Sequence, residues 1–134
     1  MAEAAEQMLR DATDALNAGD VERFLSFHTD DAVVHVPGRS PVAGDHGGRD
    51  ALRRLFQAQI AGGAQNNIHA VLVSGEHAVL LVELTGSAGG QQFRDQQVVV
   101  CHVREDKISE AWVYSWDQYG FDEAISALPS GQQD

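Results

Sequence analysis

From residue 67 onward, the chain consists of long strand-like segments joined by very short connections. Four segments, residues 67–74, 78–85, 92–103 and 108–116, are rich in β-branched and other apolar residues. The connections are Ser74-Gly75, the small residues at 87–90 and the charged residues at 105–107. Connections this short form hairpins, so neighbouring strands in this half should pair antiparallel.

The first half shows helical spacing instead. Apolar residues recur at three- and four-residue steps from Ala5 to Leu16, and Gly19 follows where that helix should end. Asp20 is placed to cap a second, short helix. The elements expected next are that short helix, a strand, a winding loop with room for one short strand, and a third helix, at residues 21–27, 32–36, 37–48 and 50–61. One or two helical turns are expected at 121–128, before a polar tail at 129–134.

Helices followed by a meander of strands predict a single α+β domain over residues 1–134, with the helices packed on one face of a curved sheet. Of its 134 residues, 43% are hydrophobic and the formal net charge is −11, so neither nucleic acid nor a membrane surface is an expected partner. Cys101 is the single cysteine, so no internal disulfide can form and a cytoplasmic location is expected. No apolar run approaches the roughly 18–20 residues that span a bilayer.

Short motifs occur in a recognisable order along the chain. They are ALNAGD at 15–20, DDAVVHVPG at 30–38, SPVAG at 40–44, GRDAL at 48–52 and WVYSWDQY at 112–119. This series resembles the SnoaL-like and ketosteroid isomerase-like proteins of the nuclear transport factor 2 superfamily. The resemblance implies a cone-shaped, mainly antiparallel mixed sheet wrapped around the N-terminal helices and enclosing a pocket. It also implies a homodimer formed through the outer face of the sheet.

The superfamily includes isomerases, polyketide cyclases, epoxide hydrolases, dehydratases and binding modules without catalysis, so the fold alone does not set the chemistry. The tyrosine, general-base aspartate and hydrogen-bonding acid of the steroid isomerases fall on apolar residues here, namely Ala12, Val36 and Val99. The aspartate, arginine and aspartate of the epoxide hydrolases fall on Leu81, Glu83 and Tyr114. Neither inherited catalytic set is therefore expected to operate.

Four residues are candidate catalytic groups. His35 ends an apolar strand, where its imidazole could move protons near neutral pH or could be a hydrogen-bonded core histidine. Asp117 follows the last strand, where it could act as a base near the pocket mouth or cap the following turn. Glu83 lies in an apolar run and Asp95 in the third long strand, where each carboxylate could perform acid–base work. Glu83 would equally suit a dimer face.

The candidate substrate-binding residues are mostly aromatic or apolar. Trp112, Tyr114 and Trp116 share one face of the last strand, and the resemblance favours that face as the cavity wall. Core filling and a dimer contact are the alternatives for this aromatic set. His46, in the glycine-rich loop, could belong to a lid. The remaining candidates for the pocket are Phe27, Leu81 and Gln97.

No motif with metal-ligand spacing and no dinucleotide or phosphate motif occurs, so neither a metal nor a cofactor is expected. The favoured function is an enzyme that performs acid–base chemistry, as an isomerase, cyclase or hydrolase/hydratase, on an apolar carbonyl-bearing or polycyclic metabolite. The alternatives are a binding module for a small apolar ligand and a dimeric interaction domain. In the last case, an exposed apolar patch is expected from Val98, Val100, Ala78, Leu80, Val82 and Leu84.

Overall fold

The computed structural model describes residues 2–88 and 91–126. The helices are α1 (Ala2–Asn17), α2 (Val21–Ser26), α3 (Arg49–Ala61) and α4 (Gln118–Ser126). The strands are β1 (His28–Val36), β2 (Gly44–Gly47), β3 (Gln65–Ser74), β4 (His77–Ala88), β5 (Gln91–Arg104) and β6 (Lys107–Ser115). These elements confirm the α+β prediction. Gly89, Gly90, the expected last two residues of the fourth helix and the polar tail lie outside the described residues.

One curved, unclosed sheet contains the six described strands in the order β2-β1-β6-β5-β4-β3. The strands β3 to β6 form the expected antiparallel meander, and β2 pairs antiparallel with β1. Only the β1–β6 pair is parallel among the described strands. The sheet is therefore mixed but mainly antiparallel.

Local signals in the sequence locate the helix ends correctly. The Asp20 carboxylate accepts a hydrogen bond from the Arg23 backbone N–H at 3.1 Å, which confirms the expected N-cap of α2. Gly19, with φ of +79°, takes the left-handed conformation that follows the end of α1. None of the described helices is long and apolar enough to cross a membrane.

The core lies between the helices and one face of the sheet, which we call the inner face; the opposite face is the outer face. Leu9, Leu25 and Leu52, one from each of the first three helices, are the largest fully buried side chains. Ala78, Leu80 and Val82 of β4 pack in this core, and together with Leu84 on the same side of the strand they are at most 6% exposed. The expectation that these four form an exposed patch is wrong, whereas Val98 and Val100 do lie on the outer face.

The last strand also has the opposite orientation to the one expected. Ala111 and Val113 pack into the core, so Trp112, Tyr114 and Trp116 project on the outer side. Tyr114 is 52% exposed and Trp116 is 88% exposed. The aromatic set does share one face, as predicted, but that face is not the one covered by the helices. Aliphatic and small side chains on β6 fill the limited space beneath the helices instead.

Candidate functional site

Two buried polar residues interrupt the apolar inner face of the sheet. Asp95 and Gln97 lie on the inner side of β5, and they are 4% and 8% exposed. Farther along the same side of this strand, Val99 and Cys101 continue into the apolar core. Because burying a polar side chain is costly unless it is hydrogen-bonded, a pair of this kind needs a structural or chemical reason.

Hydrogen bonds join the pair to the end of β6. The side-chain amide of Gln97 donates to Asp95 Oδ2 at 3.1 Å and approaches Ser115 Oγ at 3.4 Å. Gln97 and Ser115 are direct partners in the β5–β6 register, so the strand pairing itself places them together. Asp95 Oδ1 accepts the backbone N–H of Asp117 at 3.4 Å. Asp95, Gln97 and Ser115 are referred to below as the inner polar cluster.

The inner polar cluster contains no cation. Within residues 2–88 and 91–126, no lysine, arginine or histidine forms an ion pair with Asp95. Its two carboxylate oxygens instead each have one neutral donor, from an amide side chain and from a backbone N–H. A carboxylate held by neutral donors alone is not locked in an ion pair.

Helix α4 and the β1–β2 loop contact each other beside this cluster. The Asp117 carboxylate accepts the Gly120 backbone N–H at 2.9 Å, so its side chain caps the start of α4 while its own N–H contacts Asp95. In the second turn of α4, Asp122 Oδ2 accepts the backbone N–H of Arg39 at 3.0 Å. The helix, the loop and the inner polar cluster are thus connected through consecutive hydrogen bonds.

A groove of about 480 Å³ opens where the β4–β5 hairpin extends beyond β3, beside the end of α3. Its lining residues are Gly63, Thr85, Gly86, Ser87, Gln92, Phe93 and Arg94. Phe93 precedes Asp95 by two residues on β5, and alternate residues of a strand share a face and lie roughly 7 Å apart. Phe93 therefore lies on the same face of β5 as Asp95, one alternate position away.

Glycine is required at one point of this groove. A Cβ atom on Gly86 would lie 2.9 Å from Phe93 Cε1, which is closer than ordinary van der Waals contact. Gly86 and Phe93 are partners in the β4–β5 register. The missing side chain therefore allows the phenyl ring to lie over the neighbouring strand.

His35 lies on the outer face, away from the inner polar cluster. Its Nδ1 is 2.6 Å from Asp45 Oδ1, and its Nε2 is 2.7 Å from Glu110 Oε2. Its ring stacks on the indole of Trp112 with 5.2 Å between centroids. These hydrogen bonds, first to Asp45 and then to Glu110, raise the pKa of His35 above its ordinary value. His35, a candidate catalytic residue, and Trp112, a candidate cavity-wall residue, therefore lie together on the outer face and not on the face covered by the helices.

The other predicted site residues are dispersed over the molecule. Glu83 and Leu81 both lie on the outer face of β4, where Glu83 Oε2 is 3.3 Å from Arg94 Nε. His46 lies on strand β2 and not in a loop, and its Nε2 donates to the carbonyl of Val42 in the preceding loop at 2.7 Å. Phe27 follows α2 and packs half-buried against the core. Of the four candidate catalytic residues, only Asp95 has a buried side chain on the inner face.

Family and structural comparisons agree with this architecture. The model of the SnoaL-like domain family matches residues 9–111. The chain belongs to the SnoaL-like family. None of the curated proteins matches it in sequence. Among solved structures, Bal32a from a soil-derived mobile gene cassette is 26% identical, with a TM-score of 0.86 over 92% of this chain and 98% of its own.

Two more distant structures share the fold. An NTF2-like protein from Burkholderia xenovorans LB400 is 24% identical, with a TM-score of 0.80 over 93% of this chain and 98% of its own. SalBIII, an epoxide hydrolase/cyclase-like enzyme with a role in pyran ring formation in the polyether salinomycin, is 15% identical. Its TM-score is 0.76, over 84% of this chain and 91% of its own.

Sequence reasoning missed one member of this SnoaL-like domain's inner polar cluster. Alternation along the last strand places Ser115 opposite the aromatic set, so Ser115 would have been selected if that set had been assigned to the outer face. Asp45 and Glu110, the partners of His35, were also not identified. They are distant from each other in sequence, and only the β2-β1-β6 strand order brings them to one histidine.

Two buried groups of the SnoaL-like domain have shifted pKa values for structural reasons. Burial lowers the pKa of His28 to about 4, although Nδ1 lies 2.9 Å from the Phe24 carbonyl. Burial likewise raises the pKa of the Cys101 thiol to about 12, so this thiol is inert at neutral pH. Among the described residues, no group of three or more His, Cys, Asp and Glu side chains is arranged to hold a metal ion.

Proposed function

We propose that this SnoaL-like domain is a small-molecule enzyme that performs acid–base chemistry without a cofactor, with Asp95 as the general base. The observation that carries the proposal is the burial of the Asp95 carboxylate, which is 4% exposed and has only neutral hydrogen-bond donors among the described residues. Membership of the SnoaL-like family is compatible with this function, since the similarly folded SalBIII is an epoxide hydrolase/cyclase-like enzyme.

The chemistry follows from the groups in the inner polar cluster. The Asp95 carboxylate would remove a proton from the carbon next to a substrate carbonyl, and the electron pair left behind would form an enolate. The Ser115 hydroxyl is a donor that could stabilise the enolate oxygen, and Gln97 holds the carboxylate in position. Protonated Asp95 then returns the proton, at another carbon in an isomerisation. In ring closure, the enolate carbon would instead attack a second carbonyl carbon, the C=O π pair would move to its oxygen, and protonated Asp95 would give its proton to that alkoxide.

The aliphatic inner face supports an apolar, carbonyl-bearing or polycyclic substrate, whereas the groove is lined mainly by polar groups. Phe93 supplies an aromatic surface at the groove, and Thr85, Ser87 and Gln92 supply polar groups at its rim. A substrate that lies on Phe93 would extend along β5 toward Asp95.

The test is proton exchange at carbon. We expect the wild-type protein to catalyse deuterium incorporation next to the carbonyl of cyclic ketones and diketones in D2O, followed by NMR. Asp95→Asn keeps the shape of the side chain but cannot act as a base, so it should abolish exchange. Glu83→Gln is the matched control, because it makes the same change on the outer face of the neighbouring strand and should leave exchange unchanged.

The outcomes separate the candidate functions. Equal exchange rates in wild type and Asp95→Asn would overturn the assignment of the base. Absence of exchange across the ketone panel, combined with thermal stabilisation by the same ketones, would favour a binding module without catalysis. A cytoplasmic location stays a prediction from the composition.

We also infer a homodimer formed through the outer face. Large apolar side chains are exposed there, with Leu72 58%, Leu81 38%, Val98 37% and Tyr114 52% accessible. These residues lie on adjacent strands β3 to β6, so they form one surface that a second copy could cover. Sedimentation at micromolar concentration should give a dimer for wild type and a monomer for Val98→Glu. A monomeric wild-type protein would overturn the inference.

A further inference from the structure

Charged and aromatic side chains form a second cluster on the outer face, apart from the proposed base. His35 lies between Asp45 and Glu110, at 2.6 Å and 2.7 Å. Glu110 Oε1 is also 3.6 Å from Nδ1 of His102. The Trp112 indole lies between the two histidines, stacked on His35 and edge-on to His102 with centroids 4.9 Å apart. We call these five residues the outer-face cluster.

The hydrogen-bond geometry determines the protonation state of His35. Ionised carboxylates only accept hydrogen bonds, whereas a neutral imidazole has one donor and one acceptor nitrogen. Both nitrogens of His35 face a carboxylate oxygen at hydrogen-bond distance, so both must carry a proton. The proton belongs to the imidazole because the ordinary pKa of a carboxyl, about 4, is below that of histidine, about 6.5. His35 is therefore an imidazolium in this arrangement.

The side chains of His35, Asp45 and Glu110 connect the three strands β1, β2 and β6. His35 is the register partner of Asp45 in β2 and of Trp112 in β6, and Glu110 lies on the same side of β6 as Trp112. Strand β2 (Gly44–Gly47) has four residues and lies at the edge of the sheet, where β1 is its one partner among the described strands. A strand this short and at an edge has few backbone hydrogen bonds to hold it, so a side-chain contact matters more there than in the sheet centre.

We propose that Asp45, His35 and Glu110 form a proton-operated clasp that holds β2 against the rest of the sheet. Protonated His35 donates to both carboxylates and neutralises one of the two negative charges. After His35 loses its proton, one of its ring nitrogens faces a carboxylate oxygen with no hydrogen between the two atoms. The negative charges of Asp45 and Glu110 are then no longer compensated by the imidazolium. The Asp45 contact should then open, because the Asp45 side chain is 76% exposed and can be solvated by water.

The direction of the pH effect follows from the groups around His35. Asp45 faces it from β2 and Glu110 from β6, while His102 on β5 contacts Glu110 and His77 on β4 contacts the His102 ring at 4.7 Å. The two carboxylates raise the pKa of His35. The clasp should therefore be complete below the ordinary histidine pKa of about 6.5 and be lost as the pH rises through the raised value.

Trp112 provides a direct readout, because an imidazolium in contact with an indole quenches its fluorescence more than a neutral imidazole does. In a Trp116→Phe, His102→Gln background, Trp112 is the single tryptophan, and His35 is the histidine that remains in contact with it among the described residues. Its fluorescence should increase as the pH rises, with a midpoint above the ordinary histidine pKa. His35→Gln should abolish this transition, and Asp45→Asn should move its midpoint to lower pH. The control Asp14→Asn makes the same charge change on the exposed side of α1 and should not move it.

Amide hydrogen exchange then tests whether the proton holds the strand. After correction for the intrinsic effect of pH, β2 amides in the parent protein should exchange faster above the fluorescence midpoint than below it. In His35→Gln they should exchange fast at both values, and His102→Gln should retain the difference. A fluorescence transition without any change in β2 exchange would overturn the clasp, as would an unchanged transition in His35→Gln. The clasp lies within one chain but on the face through which the dimer is proposed to form, so both measurements are made in the Val98→Glu background at a concentration that favours the monomer.

Discussion

Charged side chains have different partners on the two faces of the sheet. On the inner face, Asp95 is 4% exposed and has neutral partners alone among the described residues. On the outer face, His35 has two carboxylate partners and its side chain is 26% exposed. An unpaired buried carboxylate can exchange a proton with a substrate, whereas an ion-paired group at the surface holds its proton for structure. Burial without a counter-ion, rather than the residue type, therefore distinguishes the proposed base.

The greatest difference in stability between the two faces is expected when the neighbouring leucines Leu80 and Leu81 are each replaced by alanine. Leu80 on the inner face is 6% exposed, and Leu81 on the outer face is 38% exposed. Leu80→Ala should lower the free energy of unfolding by about 2–5 kcal/mol, because it leaves a cavity in the core. Leu81→Ala should lower it by less than about 1 kcal/mol when monomers are unfolded in urea. Equal losses would show that the outer face is packed as tightly as the core.

The two histidines of β1 give the next largest effect, and they respond to pH in opposite directions. The pKa of His28 is about 6.5 in the unfolded chain but about 4 in the folded protein. The free energy of unfolding should therefore fall as the pH drops between these values, by up to about 3 kcal/mol. The contribution of His35 has the opposite sign, because it is lost as the pH rises.

Urea unfolding between pH 4 and 7 checks the prediction for His28. His28→Phe should flatten the acid side of the stability curve, since no proton can then be taken up at this position. His69→Gln is the control, because His69 is an exposed histidine on β3. A curve of unchanged slope in His28→Phe would mean that another group causes the acid loss.

A smaller effect is expected at Asp95, where the substitution should stabilise the folded protein. Burying a carboxylate without a cation costs stability, and the hydrogen bond to the Asp117 N–H is long, at 3.4 Å. Asp95→Asn should therefore raise the free energy of unfolding by up to about 1 kcal/mol while removing the proposed activity. Thermal and urea unfolding of wild type and variant check this. Destabilisation by Asp95→Asn would indicate a structural role for the carboxylate.

The fold was predictable because its signals are local, whereas the site depends on which side of each strand faces the helices. Asp20 and Gly19 mark helix ends through their own backbone chemistry, and the short turns require hairpins. In β4, however, residues 78–82 are apolar at every position, so alternation gives no orientation. On β6 the larger, aromatic set suggested the core, but the helices leave room there for Ala111 and Val113 instead.

The smallest effect is expected at Glu83, the sequence candidate that the structure places beside Arg94. The Arg94 side chain is 71% exposed, so this ion pair is solvated and Glu83→Gln should change the free energy of unfolding by less than about 0.5 kcal/mol. Deuterium exchange by Glu83→Gln should equal that of wild type, because Glu83 and Asp95 project from opposite faces of the sheet. Loss of exchange in Glu83→Gln with normal exchange in Asp95→Asn would reverse the comparison, since the reactive carboxylate would then be the ion-paired one on the outer face.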